Sequence, residues 1–65
     1  MNTVETIHES LVNGQRRQMV NQIDECCLYD VWDDYKRYLL DLYSVESAFD
    51  YFTDAVISYH RIKNR

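Results

Sequence analysis

Proline is absent from all 65 positions, and glycine occurs only once, at position 14. A chain built this way has almost nowhere that its backbone can break or reverse cheaply, so it is confined to long, uninterrupted elements with few turns. Hydrophobic residues make up 46% of it, too many for a disordered or linker-like segment. At this length the chain is one domain spanning 1–65, near the lower limit for folding without staples, with a net stability of only about 3–5 kcal/mol. No apolar run approaches the roughly 20 residues of a membrane span, and Met1-Asn-Thr-Val-Glu-Thr6 lacks the basic and apolar regions of a signal peptide. A cytosolic protein with no membrane partner is expected.

Apolar spacing resolves the chain into four helices. Asn2 or Thr3 can cap the first, with Glu5 completing a capping box behind Asn2, and Val4, Ile7, His8, Leu11 and Val12 share one face. Asn13-Gly14 stops it, because glycine accepts the left-handed conformation that ends helices. From about Gln15 a second helix offers Met19, Val20, Ile23 and Cys27, turning around Cys26 to Tyr29. Asp30 can cap a third, with a stripe of Val31, Tyr35, Leu39 and Leu42 widened by Trp32, Tyr38 and Tyr43. Ser44 or Ser47 can cap a fourth, where Val45, Ala48, Phe49, Phe52, Ala55, Val56 and Tyr59 repeat at intervals of three and four. The β-branched residues within 55–62 also suit a strand, but no second strand is present to pair with it, so the helix is preferred. The expected architecture is an all-α, compact bundle of about four short helices.

The net charge of −4 is unevenly placed. Residues 24–54 carry nine acids against Lys36 and Arg37, a net −7, whereas residues 1–23 are neutral and the C-terminal stretch adds Arg61, Lys63 and Arg65. On the fourth helix Glu46, Asp50 and Asp54 recur at four-residue intervals opposite the apolar stripe, stacking like charges at a cost of a few tenths of a kcal/mol per pair. On the third, Asp30, Asp34 and Asp41 lie on one side, with Arg37 between them and Asp33 flanking. If the two helices pack side by side, the rows can form one extended acidic face turned to solvent. Carboxylates in such a row rise about 6 Å per step, similar in scale to the roughly 3.4 Å phosphate rise of a DNA strand. A row of this kind can occupy a protein groove built for nucleic acid; the commoner role of one is an ordinary solvated face.

Aromatic content adds to the interaction reading. Among six tyrosines, Tyr51 falls outside its helix's stripe beside Asp50 and Asp54, and Tyr38 lies at the border of its own. Exposed tyrosine ringed by acids is a binding-surface composition, while Trp32, Tyr35, Tyr43 and Tyr59 read as core. In the other direction, Gln15-Arg-Arg-Gln18 opens the second helix with side chains suited to reading bases, as in a helix-turn-helix, although a DNA binder of this size ordinarily presents a basic face.

Signals for chemistry are missing. His8 and His60 form no nucleophile–base–orienter set, and there is no phosphate loop, dinucleotide fingerprint or paired histidine spacing for zinc. Cys26 and Cys27 are adjacent, too close for an ordinary mutual disulfide, and read as semi-buried helix residues. Neither enzyme activity nor a cofactor is expected.

Two segments, Asp30-Val-Trp-Asp-Asp-Tyr35 and Glu46-Ser-Ala-Phe-Asp-Tyr-Phe-Thr-Asp54, carry the character of a very short, acidic, tyrosine-rich helical protein. In that whole-chain character the sequence resembles the small inhibitors encoded by phages and mobile elements, anti-CRISPR proteins among them. Those inhibitors share no motif, so no functional residues carry over. The resemblance implies a host target, above all the DNA-binding subunits of a CRISPR surveillance complex, blocked at their DNA groove. The expectation is therefore a non-catalytic, DNA-mimicking inhibitor of a basic nucleic-acid-binding partner in the host cytosol. Asp30, Asp33, Asp34, Asp41, Glu46, Asp50 and Asp54 would supply charge, and Tyr38 and Tyr51 would anchor. The alternatives are a small dimeric DNA-binding regulator using Arg16 and Arg17, and a structural or antitoxin-like subunit with a large apolar self-contact.

Overall fold

The single glycine does what its position suggests. Gly14 adopts φ +76°, its amide donates to the Leu11 carbonyl, and the Gln15 amide reaches back to Ser10, a Schellman closure. It ends α1 (Thr3–Val12), and α2 (Arg16–Asp24) begins two residues later. Asp30 caps α3 (Val31–Leu42), its carboxylate accepting from the Asp33 amide at 3.2 Å. Of the two serines, Ser44 caps α4 (Val45–Lys63), accepting from the Ser47 amide at 3.2 Å. The structure, a computed structural model, describes residues 3–26 and 30–64. Asn2 as a cap, and Cys27 and Tyr29 at the expected turn, lie outside the described residues.

Among the described residues there are helices and no strand, and 55–62 is helical. α1 packs on α2 and α3 on α4, while α1 also meets α3 and α2 meets α4, so the four axes form a square with two helical hairpins as opposite sides. The body measures 32 × 22 × 19 Å. At 1.5 Å per residue α4 is about 28 Å long and spans nearly all of the long axis.

The core is drawn from every helix: Val4, Ile7 and Leu11 from α1, Met19, Val20 and Ile23 from α2, Val31, Tyr35 and Leu39 from α3, and Ala48 and Ala55 from α4. Trp32, Phe52 and Tyr59 pack around it edge to face, with centroids 5.6–5.8 Å apart. The edges of the expected stripes are corrected. Val12, Leu42, Val45 and Phe49 are exposed. Val12 and Leu42 end their helices, and Val45 and Phe49 lie on the flank of α4 that turns outward along its seam with α3.

Polar ties cross from one hairpin to the other. His8 of α1 meets the Tyr35 hydroxyl through Nδ1 and the Tyr43 hydroxyl through Nε2, both at 2.9 Å. Arg16 Nε donates to Ser58 Oγ at 3.0 Å and its Nη2 pairs with Asp54 at 3.2 Å. At the far end Tyr59 Oη and Lys63 Nζ both donate to Asp24, at 2.6 and 2.9 Å, and hold its carboxyl below the ordinary value.

Candidate functional site

The expected acidic residues divide by what surrounds them. Asp30 is occupied as a helix cap, and Asp33 is half-buried between Arg37 at 3.1 Å and Lys36 at 3.9 Å. Asp54 does not face solvent as a free member of its row: it is half-buried, pairs with Arg16 and accepts from Ser58 Oγ. That pairing accounts for an arginine at the positive end of the α2 dipole, since the charge is answered by α4. Asp34, Asp41, Glu46 and Asp50 are exposed, and among the described residues none has a cation at ion-pair distance.

The two expected rows do not merge across the α3–α4 seam. At 100° per residue, Asp34 and Asp41 lie on the flank of α3 away from α4, and Glu46 and Asp50 lie beyond the outer edge of α4. Between them run Lys36 and Arg37 and the apolar seam of Leu40, Val45 and Phe49. A different juxtaposition appears instead. The flank of α3 carrying Asp34 and Asp41 turns toward α1, whose exposed Glu5 and Glu9 also lack a cation partner among the described residues. Glu5, His8, Glu9, Val12, Asn13, Tyr38 and Tyr43 line an open cleft of about 260 Å³ between the two helices.

Tyr38 is the centre of this surface. It is half-buried, its ring lies edge-on to His8 at 5.8 Å, and its hydroxyl pKa is raised, first by burial and then by the field of Glu5. Beneath it His8 is 6% exposed. With both ring nitrogens bonded to tyrosine hydroxyls, the neutral imidazole donates to one and accepts from the other. Burial lowers the His8 pKa and raises that of Tyr35, so both are held neutral. The expected full exposure of Tyr51 is corrected, because its ring packs against the core. It is half-buried, perpendicular to His8 at 5.0 Å and against Tyr43 at 4.9 Å. Tyr38 therefore rests on His8, whose ring is itself packed by Tyr35, Tyr43 and Tyr51.

Glu5 and Glu9 are the residues missed in the sequence reading. Their four-residue spacing was visible, but Arg16 and Arg17 cancelled them in the sum over the first half of the chain. In space those arginines lie elsewhere, with Gln18 and Arg61 along an open cleft of about 780 Å³ between the start of α2 and the end of α4. Arg17 is exposed there, whereas Arg16 is engaged with Asp54 and Ser58.

Among the described residues no three His, Cys, Asp or Glu side chains converge as a metal-ligand set, and no helix is long and apolar enough to cross a membrane. Cys26 is half-buried, its Sγ donating to the Gln22 carbonyl at 3.3 Å. No family model matches this sequence, and no curated protein or solved structure matches it.

Proposed function

We propose that this chain is a non-catalytic inhibitor that presents an acidic face to the basic, nucleic-acid-binding groove of a partner protein and competes there with nucleic acid. The observation that carries this reading is the α1–α3 flank, where Glu5 and Glu9 line a cleft with Tyr38 and the exposed Asp34 and Asp41 stand on the same flank of α3, none of the four with a cation at ion-pair distance among the described residues. α1 and α3 pack against each other, so the flank presents the carboxylates of two neighbouring helices on one surface. A groove lined with lysine and arginine reads charge and position, and such rows supply both. Glu46 and Asp50 extend the negative potential on the opposite side of the seam. The target in this reading is of the kind blocked by anti-CRISPR proteins, a DNA-binding surveillance complex of the host.

The test is competition. A tagged chain recovers its partner from host lysate, and the purified partner is then challenged with labelled duplex in the presence of the wild type or of a combined Glu9→Lys, Asp34→Lys, Asp41→Lys variant. Wild type should displace duplex, more strongly at low salt, and the variant should fail to do so while its circular dichroism is unchanged. Equal displacement by both refutes the acidic-face reading.

The cleft bearing Arg16, Arg17 and Arg61 favours a second reading, direct DNA binding at the start of α2. Duplex affinity that falls steeply with salt and is lost in Arg17→Glu would replace the first proposal.

A further inference from the structure

Phe49 and Val45, at 68% and 75%, are the two most exposed of the large apolar side chains among the described residues, and Leu40 beside them is 46% exposed. With Leu40 they rim a cleft of about 210 Å³ along the outer seam of α3 and α4, floored by Ala48 and Phe52, and Lys36 is the one charged residue lining it. The two borders of this groove carry opposite charge. On the α3 side stand Lys36 and Arg37, the latter with its side chain 73% exposed; Asp33 pairs with both, at 3.9 and 3.1 Å, and leaves this border with a net single positive charge. On the α4 side stand Glu46 and Asp50, both exposed.

A two-fold axis lying along the seam would set α3 of one copy over α4 of the other and so bring each basic border onto an acidic one. An axis across the seam would bring like onto like. The heights agree as well. Lys36 and Asp50 each lie seven residues from Tyr43, and Arg37 is one position nearer to it, so α3 and α4, which run antiparallel from that turn, carry them at nearly one level. A rotation about the seam preserves height and therefore places Arg37 and Lys36 against the other copy's Asp50. A surface that is apolar along its middle and charge-complementary to itself fits an isologous contact.

We infer that the α3–α4 seam is a self-association surface on which two copies pair about an axis parallel to the seam, burying Phe49, Val45 and Leu40. The contact leaves the α1–α3 flank on the outside of both copies. It stands apart from the inhibitory function proposed above.

Sedimentation equilibrium tests it across micromolar to millimolar protein. The wild-type mass should rise from 7.9 kDa toward twice that value. Phe49→Asp should remain monomeric with unchanged helicity, because the side chain is already exposed. The paired reversals Lys36→Glu, Arg37→Glu and Glu46→Lys, Asp50→Lys should each weaken association by at least about tenfold, since both sets of facing charges become alike. Mixing the two variants restores opposite charges at both borders and should recover the dimer. A wild type that stays monomeric overturns the inference and leaves the groove to a different apolar partner. A dimer that survives Phe49→Asp, or two reversals that do not rescue each other, overturns the assigned surface and its axis.

Discussion

Removing one hydroxyl from Tyr35 tests the polar centre of the bundle. Tyr35→Phe keeps the ring, so no cavity opens, but His8 Nδ1 loses its only tyrosine partner in a place where Tyr35 is 1% exposed. An unsatisfied polar atom in such a position costs about 1–3 kcal/mol. With a total stability of about 3–5 kcal/mol, the middle of that range removes roughly half of it. For a domain this small each kcal/mol moves the thermal midpoint by roughly 4–8 °C, so a fall of about 8–16 °C is expected. Tyr43→Phe removes the equivalent bond to Nε2, also 2.9 Å, but Tyr43 is half-buried at the α1–α3 cleft, where water can take the vacated position. Its cost should be about 0.5–1 kcal/mol. Thermal unfolding followed by helical circular dichroism measures both. Equal midpoints for the two variants, or an unchanged Tyr35→Phe, would refute the claim that burial of the His8 bond sets its value.

Three further outcomes follow from the same geometry. Because burial lowers the His8 pKa below its ordinary 6.5, the unfolded chain binds more protons just below that pH; stability should be full above it and fall as pH drops through 6.5 toward the folded value, whereas equal urea midpoints at neutral and mildly acid pH would contradict this. Arg16→Leu should cost about 1 kcal/mol by removing the charge-assisted bond to buried Ser58, while Arg17→Leu, one position away, should stay within about 0.5 kcal/mol in the same urea titration. Gly14→Ala should cost about 1–2 kcal/mol through the backbone alone, since φ is +76° and nothing lies within 4 Å of an added Cβ; a neutral result would mean that the turn relaxes.

Local signals announced themselves in the sequence. Gly14, Asp30 and Ser44 mark helix ends because the backbone conformation and amide capping they supply are short-range properties. The buried stripes of α1, α2 and α3 follow from a period that each helix carries within itself. What could not be read is which flank of a stripe meets a neighbour. Tyr51 and Phe49 both border the apolar face of α4, yet Tyr51 turns inward because His8, far away in the chain, lies on that side, and Phe49 turns outward because only small Ala48 and the seam lie on the other. Asp54 looked free because its partner Arg16 is remote in sequence. The place of the acidic surface is hidden for the same reason: along the chain Glu5 and Glu9 cancel against Arg16 and Arg17, although the fold sends the two pairs to different faces.

The polar ties between the two helical hairpins have a kinetic consequence. Each hairpin closes over a short loop and can form early, while His8–Tyr35, Arg16–Ser58 and Tyr59–Asp24 join residues 27 to 42 positions apart and form only when the hairpins dock. Bonds absent from the folding transition state slow the reverse reaction alone. If docking follows the transition state, these three contacts act as latches: breaking any one of them should then leave the folding rate nearly unchanged and shorten the lifetime of the folded chain, whereas a slowed folding rate would place docking before it.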